Sequence, residues 1–324
     1  MTIRAAPLAL AFAAAAIALS AHAQQGRPLD FDSFQIKTTK LADNLYVAEA
    51  APGVGNVVFL TGPDGVLLVD SMFPQLHDKL LAAIRATGAT GATGPIRYVI
   101  NTHLHNDHTA GNTLMARDGA VIVAQENVLK RMKTAKRADG TPAYPQTDWP
   151  KETYADRKTL RFDGEEIELI HPAAAHTDGD TIVWFKHANV MEVGDLPASI
   201  RFNNIGVDDG GSVDGMIADG KLVLSLANDK TKIVPGHLGP VVGLKEITVQ
   251  DAMFQAVRDR VAKMIAEGKT LQQVIDAKPT ADFDQGRLGG NITPERFTTL
   301  VYTDLSRRAG AAATSLRAAP RTPG

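Results

Sequence analysis

Apolar and polar positions alternate in short runs over most of the chain, then give way near residue 248 to a repeat of four. Residues 44–48, 56–60 and 66–69 each read as a strand, and Gly62-Pro63-Asp64-Gly65 supplies the turn between the last two. An antiparallel meander is expected to open the fold. Residues 25–40 are polar with little periodicity and read as an arm. In residues 76–87, Leu80, Leu81 and Ile84 recur at a helical spacing. Strands are expected at 98–100 and 120–123, with a helix over 125–133. Asp163-Gly164 joins a hairpin of residues 159–162 and 166–170. Further strands are expected at 181–185, 189–193 and 232–234, and a helix opens at Gly211-Ser212, with Ser212 as N-cap, and runs to a stop at Asn228-Asp229.

Beyond these, Val249, Met253, Val257, Val261 and Ile265 fall every fourth position, a core-packing stripe. Thr270 to Gln273 fits a capping box, and Thr293-Pro294-Glu295 opens one more helix. Strand-rich segments followed by helices predict an α/β fold with sheets packed between helices. The expected organisation is a domain over 24–245, a helical extension over 246–308 packed on it, and a disordered tail over 309–324. Residues 87–95 read as a solvated linker. Residues 135–156, with Tyr144, Trp149, Tyr154 and the prolines Pro142, Pro145 and Pro150, fit either a binding lid or an ordinary surface excursion.

The N-terminus adds an address. Arg4, an apolar run over 5–19 and Ala21-His22-Ala23 have the layout of an export signal cleaved after Ala23. A membrane anchor is the alternative, but the run falls short of the roughly 20 residues that span a bilayer. The expected location is therefore periplasmic or secreted, with no membrane association. A net charge of −2 and the lack of basic runs argue against a nucleic-acid partner. Cysteine is absent, which excludes disulfides, thiolate ligands and a cysteine nucleophile. The expected partner is a small-molecule substrate; nothing in the sequence bears on oligomeric state.

The densest chemistry lies in His103-Leu104-His105-Asn106-Asp107-His108, directly after the strand at 98–100. A lone histidine is usually a satisfied core or surface residue. Three imidazoles and a carboxylate in six positions instead suit Zn²⁺ or a similar divalent ion. In extended backbone His103 and His105 project to one side, while Asp107 and His108 leave from the turn that follows, so one loop can seed a two-metal site. Other candidate ligands also follow strands: His176 in His-Thr-Asp-Gly-Asp, Asp195 after Gly194, and His237 after Pro235-Gly236. Asp70, at the end of the strand at 66–69, is either a partner to a ligand histidine or a plain helix cap.

Taken together, these motifs resemble the metallo-β-lactamase-fold hydrolase superfamily over residues 40–245. The resemblance implies a four-layer αββα sandwich holding two zinc ions, with iron or manganese as alternatives. By that pattern His103, His105 and His176 hold one ion, Asp107, His108 and His237 the other, and Asp195 bridges them. Two such cations lower the pKa of a shared water and polarise a carbonyl, with Asp107 handling the proton. Cleavage of an ester, lactone, thioester or lactam is then expected. An aspartate at the bridging step resembles the glyoxalase-II-like and lactonase-like branches, whereas export favours a β-lactamase. A mononuclear iron sulfur dioxygenase and a metal-holding protein without catalysis are the rival classes. Arg201, Asn203, Asn204 and the Tyr144–Trp149 loop are candidate substrate contacts.

Overall fold

The computed structural model describes residues 29–50, 54–198, 201–239, 241–285 and 292–318, with side chains as far as 310. The expected signal segment lies outside the described residues. Two units are distinguished, one ending at Ser33 and one beginning at Phe34. In the first, residues 30–33 form a turn closed by the Ser33 N–H donating to Asp30 O at 3.1 Å.

The second unit contains two sheets, and in each the strands are ordered as they occur in the sequence. The seven-stranded sheet comprises β1 (Lys37–Lys40), β2 (Leu45–Glu49), β3 (Val57–Gly62), β4 (Gly65–Val69), β5 (Ile96–Ile100), β6 (Val121–Gln125) and β7 (Glu152–Tyr154). Its first four strands pair antiparallel; β4 to β7 pair parallel. The parallel pairs require crossovers, supplied by α1 (His77–Ala86), by the short α2 (Asn106–Thr109) and α3 (Asn112–Arg117), and by α4 (Glu126–Thr134). The five-stranded sheet comprises β8 (Arg157–Phe162), β9 (Glu165–Ile170), β10 (Ile182–Phe185), β11 (Val190–Glu192) and β12 (Lys232–Val234). Helix α5 (Val213–Leu226) links its parallel pair β11–β12.

Val47, Val58, Leu67, Val69, Ile100 and Val123 of the first sheet share one core with Ile167, Leu169, Val183, Phe185, Val190 and Val234 of the second. The sheets therefore pack face to face. Strands β3 and β4 are buried on both faces, so their outer face needs a cover, and α1 buries Leu80 and Ile84. On the other side, Ile170, Ile182, Met191 and Ile233 pack against α5 and against α6 (Leu244–Ala266), α7 (Leu271–Asp276) and α8 (Pro294–Ala318). This is an αββα sandwich with a C-terminal helical region.

Local chemistry explains most element boundaries. Asp163 (φ 49°) and Gly164 (φ 78°) both take the positive φ that a two-residue hairpin turn needs. Ser212 Oγ caps α5 by accepting Gly215 N–H at 2.9 Å. Three expectations need correction. Lys37–Lys40, read as part of an arm, is an edge strand whose pairing comes from β2 and not from any apolar pattern. The stretch 135–156 is not irregular throughout, because Glu152–Tyr154 joins the sheet beside β6. The tail read as disordered from 309 is helical as far as Ala318, consistent with the strong helix propensity of its alanines. No helix among the described residues is long and apolar enough to cross a membrane.

Candidate metal centre

Strand ends at one edge of the sandwich carry the unusual residues, as expected where parallel strands leave a crevice beyond their carboxyl ends. Asp70 follows β4, the histidine loop follows β5, and His176 lies between β9 and β10. Asp195 follows β11 and His237 follows β12. Residues as far as 129 positions apart and carried on two sheets thereby meet: Asp70 with the histidine loop, and that loop with His176, Asp195 and His237. Three donor groups emerge, each with its ligand atoms within 4.8 Å of one another: His103/His105/His176, His103/His108/Asp195 and Asp107/His108/His237.

Hydrogen bonding fixes how each imidazole faces this centre. Thr102 has one hydroxyl proton and donates it to Asp70 Oδ2 (2.7 Å), so it accepts from His103 Nδ1 at 3.0 Å. His108 Nδ1 donates to Asp70 Oδ2 (2.7 Å), His176 Nδ1 to Asn204 O (2.9 Å) and His237 Nδ1 to Val54 O (3.1 Å). His105 is turned the other way and donates Nε2 to Asp209 Oδ2 at 3.3 Å. Each of the five rings thus spends one nitrogen on a protein acceptor and aims the other at its neighbours. His103 Nε2 and His176 Nε2 lie 3.1 and 2.9 Å from His105 Nδ1, and His108 Nε2 lies 3.2 Å from His237 Nε2.

The carboxylates divide the centre into two halves. Asp107 Oδ2 sits 3.1 Å from His237 Nε2 and 3.6 Å from His108 Nε2, and is the more solvent-facing of the two acids. Asp195 spans both halves: Oδ1 is 3.3 Å from His237 Nε2, and Oδ2 is 3.6 Å from His176 Nε2. Arg201 Nη2 also approaches Asp195 Oδ1, at 3.3 Å. Burial and the neighbouring imidazoles hold His103 well below the ordinary histidine range, and burial brings His176 down to about 4. Burial opposes a charge on His108 too, but Asp107 and Asp70 outweigh it and raise this ring to about 10. Asp107, despite burial, falls to about 2 through His108 and His237.

These groups fit divalent metal ions. His103 Nε2 and His176 Nε2, on rings held neutral by burial, both turn lone pairs toward His105 Nδ1, an arrangement that repels unless a cation lies among them, and buried Asp195 Oδ1 accepts no hydrogen bond. Close backbone approach is built in as well. A Cβ on Gly236 would meet Asp195 Oδ1 at 2.5 Å, and one on Gly55 would meet the His108 ring at 2.8 Å.

All seven expected ligands and Asp70 therefore meet at this edge. Asp70 caps no helix; its carboxylate takes the Thr102 N–H (2.8 Å), the Thr102 hydroxyl and His108. Asn203, read as a substrate contact, is instead buried and bonded to Asp195 O and Leu196 O. Asn204 contributes only its carbonyl, to His176. Tyr144 packs near Leu104, and burial together with Asp209 and Asp107 pushes its phenol up to about 12, which places it beside the centre. The segment behind it is tied down where Asn112 Nδ2 and Thr113 N–H donate to Asp148. Sequence reasoning missed Asp209, Thr102 and Asp180. The last accepts the N–H groups of His176 and Thr177 and so shapes the His176 loop. Paired aspartates framed by glycines at 206–211 were the one available signal for Asp209.

Comparison with known proteins gives a consistent picture. Residues 50–237 match the family model described as the metallo-beta-lactamase superfamily. The chain is 28% identical over 143 residues to the 2,4-dinitroanisole O-demethylase subunit alpha of Nocardioides sp. (strain JS1661), covering 44% of this chain and 41% of that protein. It is 23% identical over 165 residues to the metallo-beta-lactamase type 2 of Elizabethkingia meningoseptica, covering 48% of this chain and 60% of that one. The aligned parts thus span less than two thirds of either relative. Among solved structures, a metallo-beta-lactamase from Pontibacter korlensis superposes with a TM-score of 0.55 at 19% identity, covering 68% of this chain and 99% of that one.

Proposed function

The chain belongs to the metallo-beta-lactamase superfamily, and on that premise we propose that it is an exported hydrolase that holds two divalent ions, zinc foremost. Its reaction is cleavage of the carbonyl of a small-molecule ester, lactone, thioester or lactam in the periplasm, with neither nucleic acid nor membrane as partner. The observation that carries this reading is the common orientation of five imidazoles, each with one nitrogen spent on the protein and the other facing a shared space.

His103, His105 and His176 would hold one ion, and Asp107, His108 and His237 the other, with Asp195 between them. Bound there, the ions supply a water of lowered pKa and a Lewis-acid contact for the carbonyl oxygen. Asp107 is ionised at neutral pH and partly open to solvent, so it orients the attacking water through a hydrogen bond and passes the proton to the leaving group. Asp70 faces His108 Nδ1 and so holds that ring with Nε2 turned inward. No protein nucleophile is required.

Metal analysis of the purified protein, followed by turnover of a chromogenic cephalosporin, a lactone and a thioester, tests the proposal. About two divalent ions per chain and turnover abolished by a chelator are expected. A single iron with sulfur oxidation, or tight metal without turnover of any substrate, would overturn it. An aryl methyl ether belongs in the panel because of the similarity to the O-demethylase subunit.

A further inference from the structure

The segment beyond His237 lies outside the family match, yet two of its buried polar side chains reach the loops that carry the centre. Gln250 on α6 is 1% exposed, and its Nε2 donates to Arg201 O at 2.6 Å and to Asn203 Oδ1 at 2.7 Å. Asn203 then donates Nδ2 to Asp195 O at 3.0 Å and Leu196 O at 3.3 Å. An unbroken chain of amides therefore runs from α6 to the backbone of the acid that spans both halves of the centre.

A second tie supports the loop of His176. Asp304 on α8, 3% exposed, accepts the Val213 N–H at 2.9 Å through Oδ2. The preceding Ser212 donates its N–H to Ala175 O (2.7 Å) and its hydroxyl to Ala174 O (2.8 Å), while the Gly206 N–H donates to His176 O at 2.9 Å. The segment 206–213 is thus a strap beneath His176, and α8 holds its end.

We propose that the C-terminal helices are a clamp for the second-sheet half of the metal centre, with Gln250 the positioning residue for Asp195. The inference rests on the metal reading given above. Asp195 follows a three-residue strand, and a carboxylate serving two ions must be held to within about half an ångström. A neutral amide does this without adding charge to a site already crowded with it.

The test is Co²⁺ titration of the metal-free full chain, reading stoichiometry, stepwise affinity and the visible absorption of the bound ion. Gln250→Met keeps side-chain length and burial but deletes the donor. We expect this variant to melt in its metal-free form close to the unsubstituted protein, to bind Co²⁺ about 10–100-fold more weakly, and to show an altered absorption spectrum. Folded Gln250→Met with unchanged affinities and spectrum overturns the clamp and leaves the metal reading standing. An unsubstituted protein that binds no divalent ion overturns both. Should Gln250→Met not fold, Gln250→Leu removes the same donors without adding charge, and the same comparison decides.

Discussion

The two sheets build their halves of the centre by different means. The first contributes His103, His105, Asp107 and His108 from one loop after β5, and braces them with Asp70 from the neighbouring strand β4. The second contributes one residue from each of three loops, and each loop is fixed by partners far away in sequence: Asp180 and the 206–213 strap for His176, Asn203 and Gln250 for Asp195, Val54 O for His237. A dense local motif needs little outside help to aim its ligands. Single ligands on separate loops need a scaffold, and the C-terminal helices provide part of it.

The sharpest way to probe the first half is Asp107→Asn, which leaves the other donors in place and removes the group assigned to proton transfer. Turnover should drop by about 10²–10⁴-fold with most of the metal retained, as checked by steady-state kinetics alongside metal analysis. Activity that persists would reject the role given to Asp107. Removing the ions tests whether both halves depend on them: if bound at 1,000 times Kd they contribute about 4 kcal/mol, so chelation should lower the melting midpoint by on the order of 10 °C. An unchanged midpoint would mean that the side chains hold their places alone. Asp70→Asn should weaken ion binding by about 10–100-fold by loosening His108, while the His103/His105/His176 group suffers less; equal weakening of both ions would erase the distinction between a braced half and a scaffolded one.

The smallest effect separates scaffold from site. Asp219 on α5 accepts the Ala173 N–H at 3.0 Å near the start of the His176 loop. Burial, with the nearby Asp180 charge, pushes its carboxyl up to about 9. Between its ordinary value near 4 and that value, the unfolded chain has released this proton and the folded chain keeps it, so stability falls as pH rises, by at most about 1.4 kcal/mol per unit. Asp219→Asn should flatten that decline. Urea midpoints at pH 5 and pH 8 measure it, and parallel slopes for the two proteins would refute the assignment.

Particular elements show where sequence reasoning reached and where it stopped. The Asp163-Gly164 hairpin, the Ser212 cap and the Met253, Val257 and Val261 positions of the α6 stripe were legible because each is a local rule of backbone or burial; Val249, expected in the same stripe, is 47% exposed, because a repeat of four drifts round a helix of 3.6 residues per turn. Lys37–Lys40 was not, since an edge strand without an apolar face exists only once β2 offers it hydrogen bonds. Asn203 reads from the sequence as a candidate substrate contact. Its burial against Gln250, 47 positions along the chain, makes it a strut.

By itself the sequence determined the alternating-then-helical pattern, the lack of cysteine and which seven side chains are the candidate donors, because these depend on composition and near-neighbour spacing. Only the tertiary structure decided which nitrogen of each ring faces inward, that Asp195 spans the two halves, and that helices beyond His237 hold the second half in place. Those outcomes depend on hydrogen-bond partners brought together across the sandwich, and no local pattern specifies them.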